Sequence, residues 1–121
     1  MQYAILCYNQ EDVVGSWTKE EDDACMARLA VVQAGLAKQG RLGPVARLLP
    51  TTAATTLRKG RDEPLVIDGP FAETKEQLLG FYVVDCESLD DVIAVAREML
   101  EGGGAFEIRP IRSFKPGSQI A

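Results

Sequence analysis

The chain reads as an α+β protein of the ferredoxin-like, split βαβ type with an inserted hairpin. Three observations lead there. Two stretches, Tyr3–Tyr8 and Gly80–Cys86, are apolar on both alternating faces, which marks strands covered on both sides. Each half of the chain carries one capped segment with apolar residues at helical spacing. The order of elements is β-α-β, a hairpin, then β-α-β. Right-handed crossovers put both helices on one face of such a sheet. The other face is then apolar and bare, and a patch of that size is an interaction surface. A second copy of the same sheet is its simplest cover, which predicts a two-fold homodimer.

Taken in order, Tyr3, Ile5 and Cys7 point to one side of the first strand and Ala4, Leu6 and Tyr8 to the other. Asn9 to Trp17 reads as a polar loop; Trp17 either packs at the helix entrance or walls a ligand pocket. Thr18 with Glu21 forms a capping box, and the acidic run Glu20–Asp23 suits the positive end of the helix dipole. Cys25, Met26, Leu29, Val32 and Leu36 make the apolar stripe, and Gly40 after Lys38 ends the helix. Arg41–Leu49 reads as a strand, but Gly43-Pro44 confines it to an edge or a bulge. Ala53–Arg58 and Leu65–Asp68 form the hairpin around the turn Lys59–Pro64. Ser88 caps a second helix with the stripe Leu89, Val92, Ile93, Ala96, Met99 and Leu100, which Gly102-Gly103-Gly104 ends. In the last strand, Ala105–Ile111, an apolar face of Phe106, Ile108 and Pro110 alternates with one carrying Glu107 and Arg109. The tail Arg112–Ala121 reads as loose or lying across a partner.

Composition narrows the function. Its 121 residues fit one domain spanning 1–121. A net charge of −5 with scattered basic residues argues against a nucleic-acid partner. Histidine is absent, which removes the usual acid–base residue near neutral pH, the commonest metal ligand, and every His-activated nucleophile. Cys7, Cys25 and Cys86 are far apart, odd in number and without a CxxC pair; they read as small buried hydrophobes of a reducing compartment rather than as zinc ligands. No apolar run reaches the ~20 residues that span a bilayer, and the start lacks a signal-peptide pattern, so the expected location is the cytoplasm, away from membranes. Neither GxGxxG nor a P-loop is present, and no carboxylate spacing specifies a cation, so neither a cofactor nor a metal is expected.

The stretch Val66–Val84 organises the rest. It leaves an apolar run, breaks at Asp68-Gly69-Pro70, crosses a charged segment and enters the second two-faced strand. Pro70 fixes its own φ and pushes Gly69 out of the helical region. At Asp68-Gly69-Pro70-Phe71-Ala72-Glu73-Thr74-Lys75-Glu76 the sequence resembles the YCII-related family in its DGPF branch, over nine consecutive residues. Support comes from Met1-Gln2-Tyr3, Thr55–Arg58, Gly80-Phe81-Tyr82 and Glu107–Ile111. One departure is Leu79, where the branch usually has a second glycine. The resemblance implies a ferredoxin-like fold paired into a dimeric α/β barrel, with a site in a cleft beside the sheet. It implies no settled activity. Some relatives sit beside extracytoplasmic-function sigma factors or are fused to them, which suggests signalling or sensing by association. Another branch contains a dehydrochlorinase thought to use a His–Asp dyad, and that mechanism does not transfer to a chain without histidine.

The candidate site gathers around this loop. Asp68 or Glu73 is the candidate base should burial raise its pKa, and Tyr82 is the candidate group orienting a carbonyl or hydroxyl. Arg58 or Arg109 offers bidentate pairing to a carboxylate or phosphate, with Lys75, Glu76 and Glu107 as further ligand-binding candidates. A structural reading stands beside this one. Asp68 caps the Gly69-Pro70 turn, Glu107 and Arg109 join Arg58 in an ion-pair network, and Glu73, Lys75 and Glu76 are a solvated loop. Three functions are therefore open: a cofactor-free lyase- or isomerase-like enzyme using a loop carboxylate, a small-molecule binding or sensing module, and a dimeric interaction protein.

Overall fold

Why the two-faced strands sit at the centre becomes plain from the sheet. A computed structural model describes residues 1–100 and 104–118. Along the chain come β1 (Gln2–Asn9), α1 (Glu11–Gly15), α2 (Lys19–Lys38), β2 (Leu42–Arg47), β3 (Thr55–Arg58), β4 (Leu65–Asp68), β5 (Gln77–Asp85), α3 (Leu89–Met99) and β6 (Ala105–Pro110). The main sheet runs β2-β5-β1-β6, with every neighbouring pair antiparallel. The two apolar stretches take its two inner positions. β2, with its proline, is an edge, and its register shifts between Leu42 and Val45 around Gly43-Pro44. This is the ferredoxin-like arrangement, two split βαβ units interleaved in one sheet.

Both long helices lie on one face. Tyr3 and Ile5 of β1, Tyr82 and Val84 of β5, Leu36 of α2, and Val92 and Met99 of α3 form the buried cluster, with Cys86. The alternate residues Ala4, Leu6, Phe81 and Val83 point the other way. Thr18 caps α2 by the reciprocal box: its Oγ1 accepts from the Glu21 N–H, and Glu21 Oε1 accepts from the Thr18 N–H, each at 3.1 Å. Ser88 Oγ accepts from the Asp91 N–H at 3.2 Å to start α3. No helix among the described residues is long and apolar enough to cross a membrane.

Two details differ from the local reading. Asn9–Trp17 is not all loop, since Glu11–Gly15 forms a short helix. Its anchors are remote in sequence. The Glu11 N–H donates to Gln77 Oε1, and the Glu11 carboxylate accepts from the Thr51 N–H and hydroxyl at 2.6 and 2.7 Å. The arms flanking the Asp68–Glu76 loop belong to separate sheets: β4 pairs with β3 in a two-stranded hairpin, whereas β5 enters the main sheet. Of the glycines expected to end α3, Gly102 and Gly103 lie outside the described residues, as do the last three of the tail.

Candidate functional site

Hairpin register decides the first question about the expected site. Thr55 faces Asp68 and Arg58 faces Leu65. Arg58 and Asp68 are thus three residue pairs apart along the ladder, ~10 Å, and on opposite faces of the hairpin. Asp68, Glu73 and Lys75 are exposed, and Glu76 is half-buried. Arg58 instead stacks its guanidinium 5.0 Å from the centre of the Phe71 ring. The Asp68-Gly69-Pro70 corner is fixed by backbone. Gly69 has φ +108°, its N–H donates to the Ala54 carbonyl, and its own carbonyl accepts from the Thr56 hydroxyl, both at 2.8 Å. Glu107 and Arg109 sit opposite Leu6 and Ala4 on the sheet face away from the helices, where the Tyr8 hydroxyl donates to Glu107 at 3.4 Å. Tyr82 is on the helix face. The eight expected residues therefore fall into three places: the hairpin and its loop, the open sheet face, and the helix side.

A cleft of about 510 Å³ lies at this third place. It lies beneath α2, most of whose apolar stripe is only partly buried against the sheet. Leu36 is buried, while Cys25, Met26 and Leu29 of the same stripe, with Gln33 beside them, remain half-buried and line the space beneath the helix. Tyr82, part of the core, lines it, as do α1 with Trp17 and the segment Arg47–Pro50. Phe106 and Met99 complete an apolar wall. Trp17, which directly precedes the Thr18 cap of α2, lines the cleft.

Two tethers frame the cleft at the Arg47–Pro50 side. The Arg47 guanidinium grips Asp22 in the first turn of α2 with two hydrogen bonds of 2.6 and 3.1 Å. This contact holds the Asp22 carboxyl below the usual carboxylate range and raises Arg47 further. The second tether joins Glu11 to Thr51. Inside, burial pushes the Cys7 thiol up to about 12, so it is a neutral thiol and no nucleophile at ordinary pH. Burial, with Cys7 close by, also raises the Tyr82 phenol, against the opposing effects of a hydrogen bond with Gln33 and the charge of Arg28.

Chemically the cleft is mostly apolar, with Tyr82, Gln33 and Arg28 among its polar lining residues beside Asn9, Glu11 and Arg47. Gln33, Arg28, Arg47 and Glu11 were not among the expected residues. A signal for the first two was present: both are polar residues beside the apolar stripe of α2, Arg28 three after Cys25 and Gln33 four after Leu29. Among the described residues no cluster of three or more His, Cys, Asp or Glu side chains is placed to hold a metal ion.

The chain is 54% identical over 120 residues to the uncharacterised protein R00369 of Rhizobium meliloti (strain 1021), with 97% of each chain covered. The pattern of the YCII-related domain matches residues 1–115, nearly end to end across both halves of the sheet. On that match the chain belongs to the YCII-related domain family.

Proposed function

We propose that this protein binds a small, largely apolar organic molecule in the cleft between α2 and the sheet. The observation that carries the reading is the cleft of about 510 Å³, mostly apolar with a few polar lining residues, Tyr82, Gln33 and Arg28 among them. Its size falls in the range of small-molecule sites, and such sites are mostly apolar with a few convergent polar groups. A binding or sensing role is favoured over catalysis by the loop carboxylates, because Asp68 and Glu73 are exposed and lie outside the cleft lining. The test is a thermal-shift screen of phenols, quinols and small carboxylates on three proteins. Hits should stabilise the wild type and Arg58→Ala alike, and fail on Leu29→Trp, which fills the chamber. Hits lost in Arg58→Ala but kept in Leu29→Trp would move the site to the hairpin loop.

We further propose that the working unit is a homodimer. Support comes from the sheet face opposite the helices, where Ala4, Leu6, Phe81 and Val83 are adjacent across paired strands. The hairpin adds apolar surface of its own, with Leu57 and Val66 67% and 72% exposed. A second copy is a self-complementary cover for such a face.

A further inference from the structure

We infer that Trp17 is the residue that selects the ligand of the cleft, and that the ligand it selects carries a flat aromatic ring. This rests on the cleft being the ligand site. The first argument is where Trp17 stands. Thr18 is the N-cap of α2, so Trp17 directly precedes the cap. An apolar side chain at that position commonly packs on the fourth residue of the helix, as a staple. In α2 the fourth residue is Asp22, whose carboxylate the Arg47 guanidinium grips at 2.6 and 3.1 Å. The staple has no apolar partner, and the half-buried indole lines the cleft. The entry to α2 has other holds: the Thr18–Glu21 box, and the Trp17 N–H, which donates to the Val14 carbonyl at 3.2 Å.

The second argument is what shares the lining with that ring. The sequence holds three cysteines and three methionines, and two of each line this one cleft: Cys7, Cys25, Met26 and Met99. Tyr82 and Phe106 belong to the same lining. Sulfur is polarizable and gains by contact with an aromatic ring, and rings gain by offset or edge-to-face contact with other rings. A saturated body has no ring face or ring edge to offer them. It is also the more hydrophobic of two rings with the same carbon skeleton, so burial alone favours it. A preference for the aromatic ring is therefore a signature of the lining and not of the hydrophobic effect. Trp17 contributes most to it, since its indole is the largest ring on the lining and belongs to the chain's only tryptophan.

The experiment is calorimetric titration of the full-length protein with 2-phenylethanol and with 2-cyclohexylethanol, which share a skeleton and a head and differ only in the ring. Wild type should bind 2-phenylethanol more tightly, by about threefold or more, the size expected of a few ring contacts. Trp17→Leu should weaken 2-phenylethanol more than 2-cyclohexylethanol and close the gap, whereas Trp17→Phe, which keeps a ring, should retain most of it. Met26→Leu/Met99→Leu, which conserves volume and removes sulfur, should narrow the gap in part. Melting curves of each variant confirm that it is folded, and the wild-type comparison stands without any variant. Equal or tighter binding of 2-cyclohexylethanol to wild type, with both probes lost in Leu29→Trp, would overturn the ring inference and leave the cleft as the site. A preference that survives Trp17→Leu unchanged would overturn Trp17 as the selecting residue. Binding of neither probe, or binding indifferent to Leu29→Trp, would overturn the cleft and the inference together.

Discussion

Gly80 shows how a single atom sets the sheet. A Cβ built there would lie 2.4 Å from the Ala46 carbonyl oxygen and 3.3 Å from the Arg47 Cα, both backbone atoms of β2. Backbone cannot swing aside as a side chain can. Gly80→Ala should therefore cost about 1–3 kcal/mol, read by urea denaturation, because β2 has to retreat. The same retreat would loosen Arg47 from Asp22. Cys7 is a residue with a pH signature. Folded, it holds its proton to about pH 12, whereas an ordinary thiol releases it near 9.0. Between those values the unfolded chain binds fewer protons, so stability is full below pH 9 and is lost as pH rises toward 12. Tyr82 adds loss of the same sign above pH 10. Denaturation midpoints of wild type should thus fall between pH 9 and 10, and Cys7→Ala should flatten that part of the profile.

At the scale of elements, helix starts were legible because caps are local. Thr18 and Glu21 are three residues apart and satisfy each other's backbone without help from the rest of the chain. Thr18→Ala should destabilise by ~1 kcal/mol, and Glu21→Ala by less, since the side chain of Thr18 would still accept one bond. A thermal melt of each reads this directly; equal, negligible effects would mean that α2 is held by packing alone. What α2 covers was not legible. Its stripe has helical spacing throughout, yet only Leu36 is buried, and Cys25, Met26, Leu29 and Gln33 line a cleft shared with Tyr82 and Arg47. The short α1 escaped notice for a related reason: its tethers are Gln77 and Thr51, 66 and 40 residues away.

For the molecule as a whole, the consequential surface is the sheet face without helices. Val83 is already 8% exposed in the single chain, whereas Leu6 and Phe81 beside it keep part of their surface in water. Burial of such a face by a second copy should make the protein a dimer in light scattering at micromolar concentration. Phe81→Glu places a charge at its centre and should yield monomers that stay folded by circular dichroism. A wild-type monomer would remove the proposed assembly, and a Phe81→Glu dimer would move the interface elsewhere. The hairpin, whose two strands make no sheet with the rest, is marginal by itself. Its packing should therefore tighten in the dimer, seen as slower amide exchange at Leu57 and Val66 than in Phe81→Glu.

By itself the sequence determined the strands, the two long helices, their caps and the order that interleaves them. Alternation, helical spacing, capping and proline placement act over a few residues and leave the same mark in any tertiary setting. It also determined the Gly69 corner, since Pro70 and the missing Cβ restrict the backbone locally. Only the tertiary structure decided where side chains meet. A ladder register separates Arg58 from Asp68, alternation around a shared β1 sends Tyr82 and Glu107 to opposite faces of one sheet, and the packing of α2 over the sheet brings Gln33, Arg28 and Tyr82 to one cleft. Each of these depends on contacts between residues tens of positions apart, which no local pattern encodes.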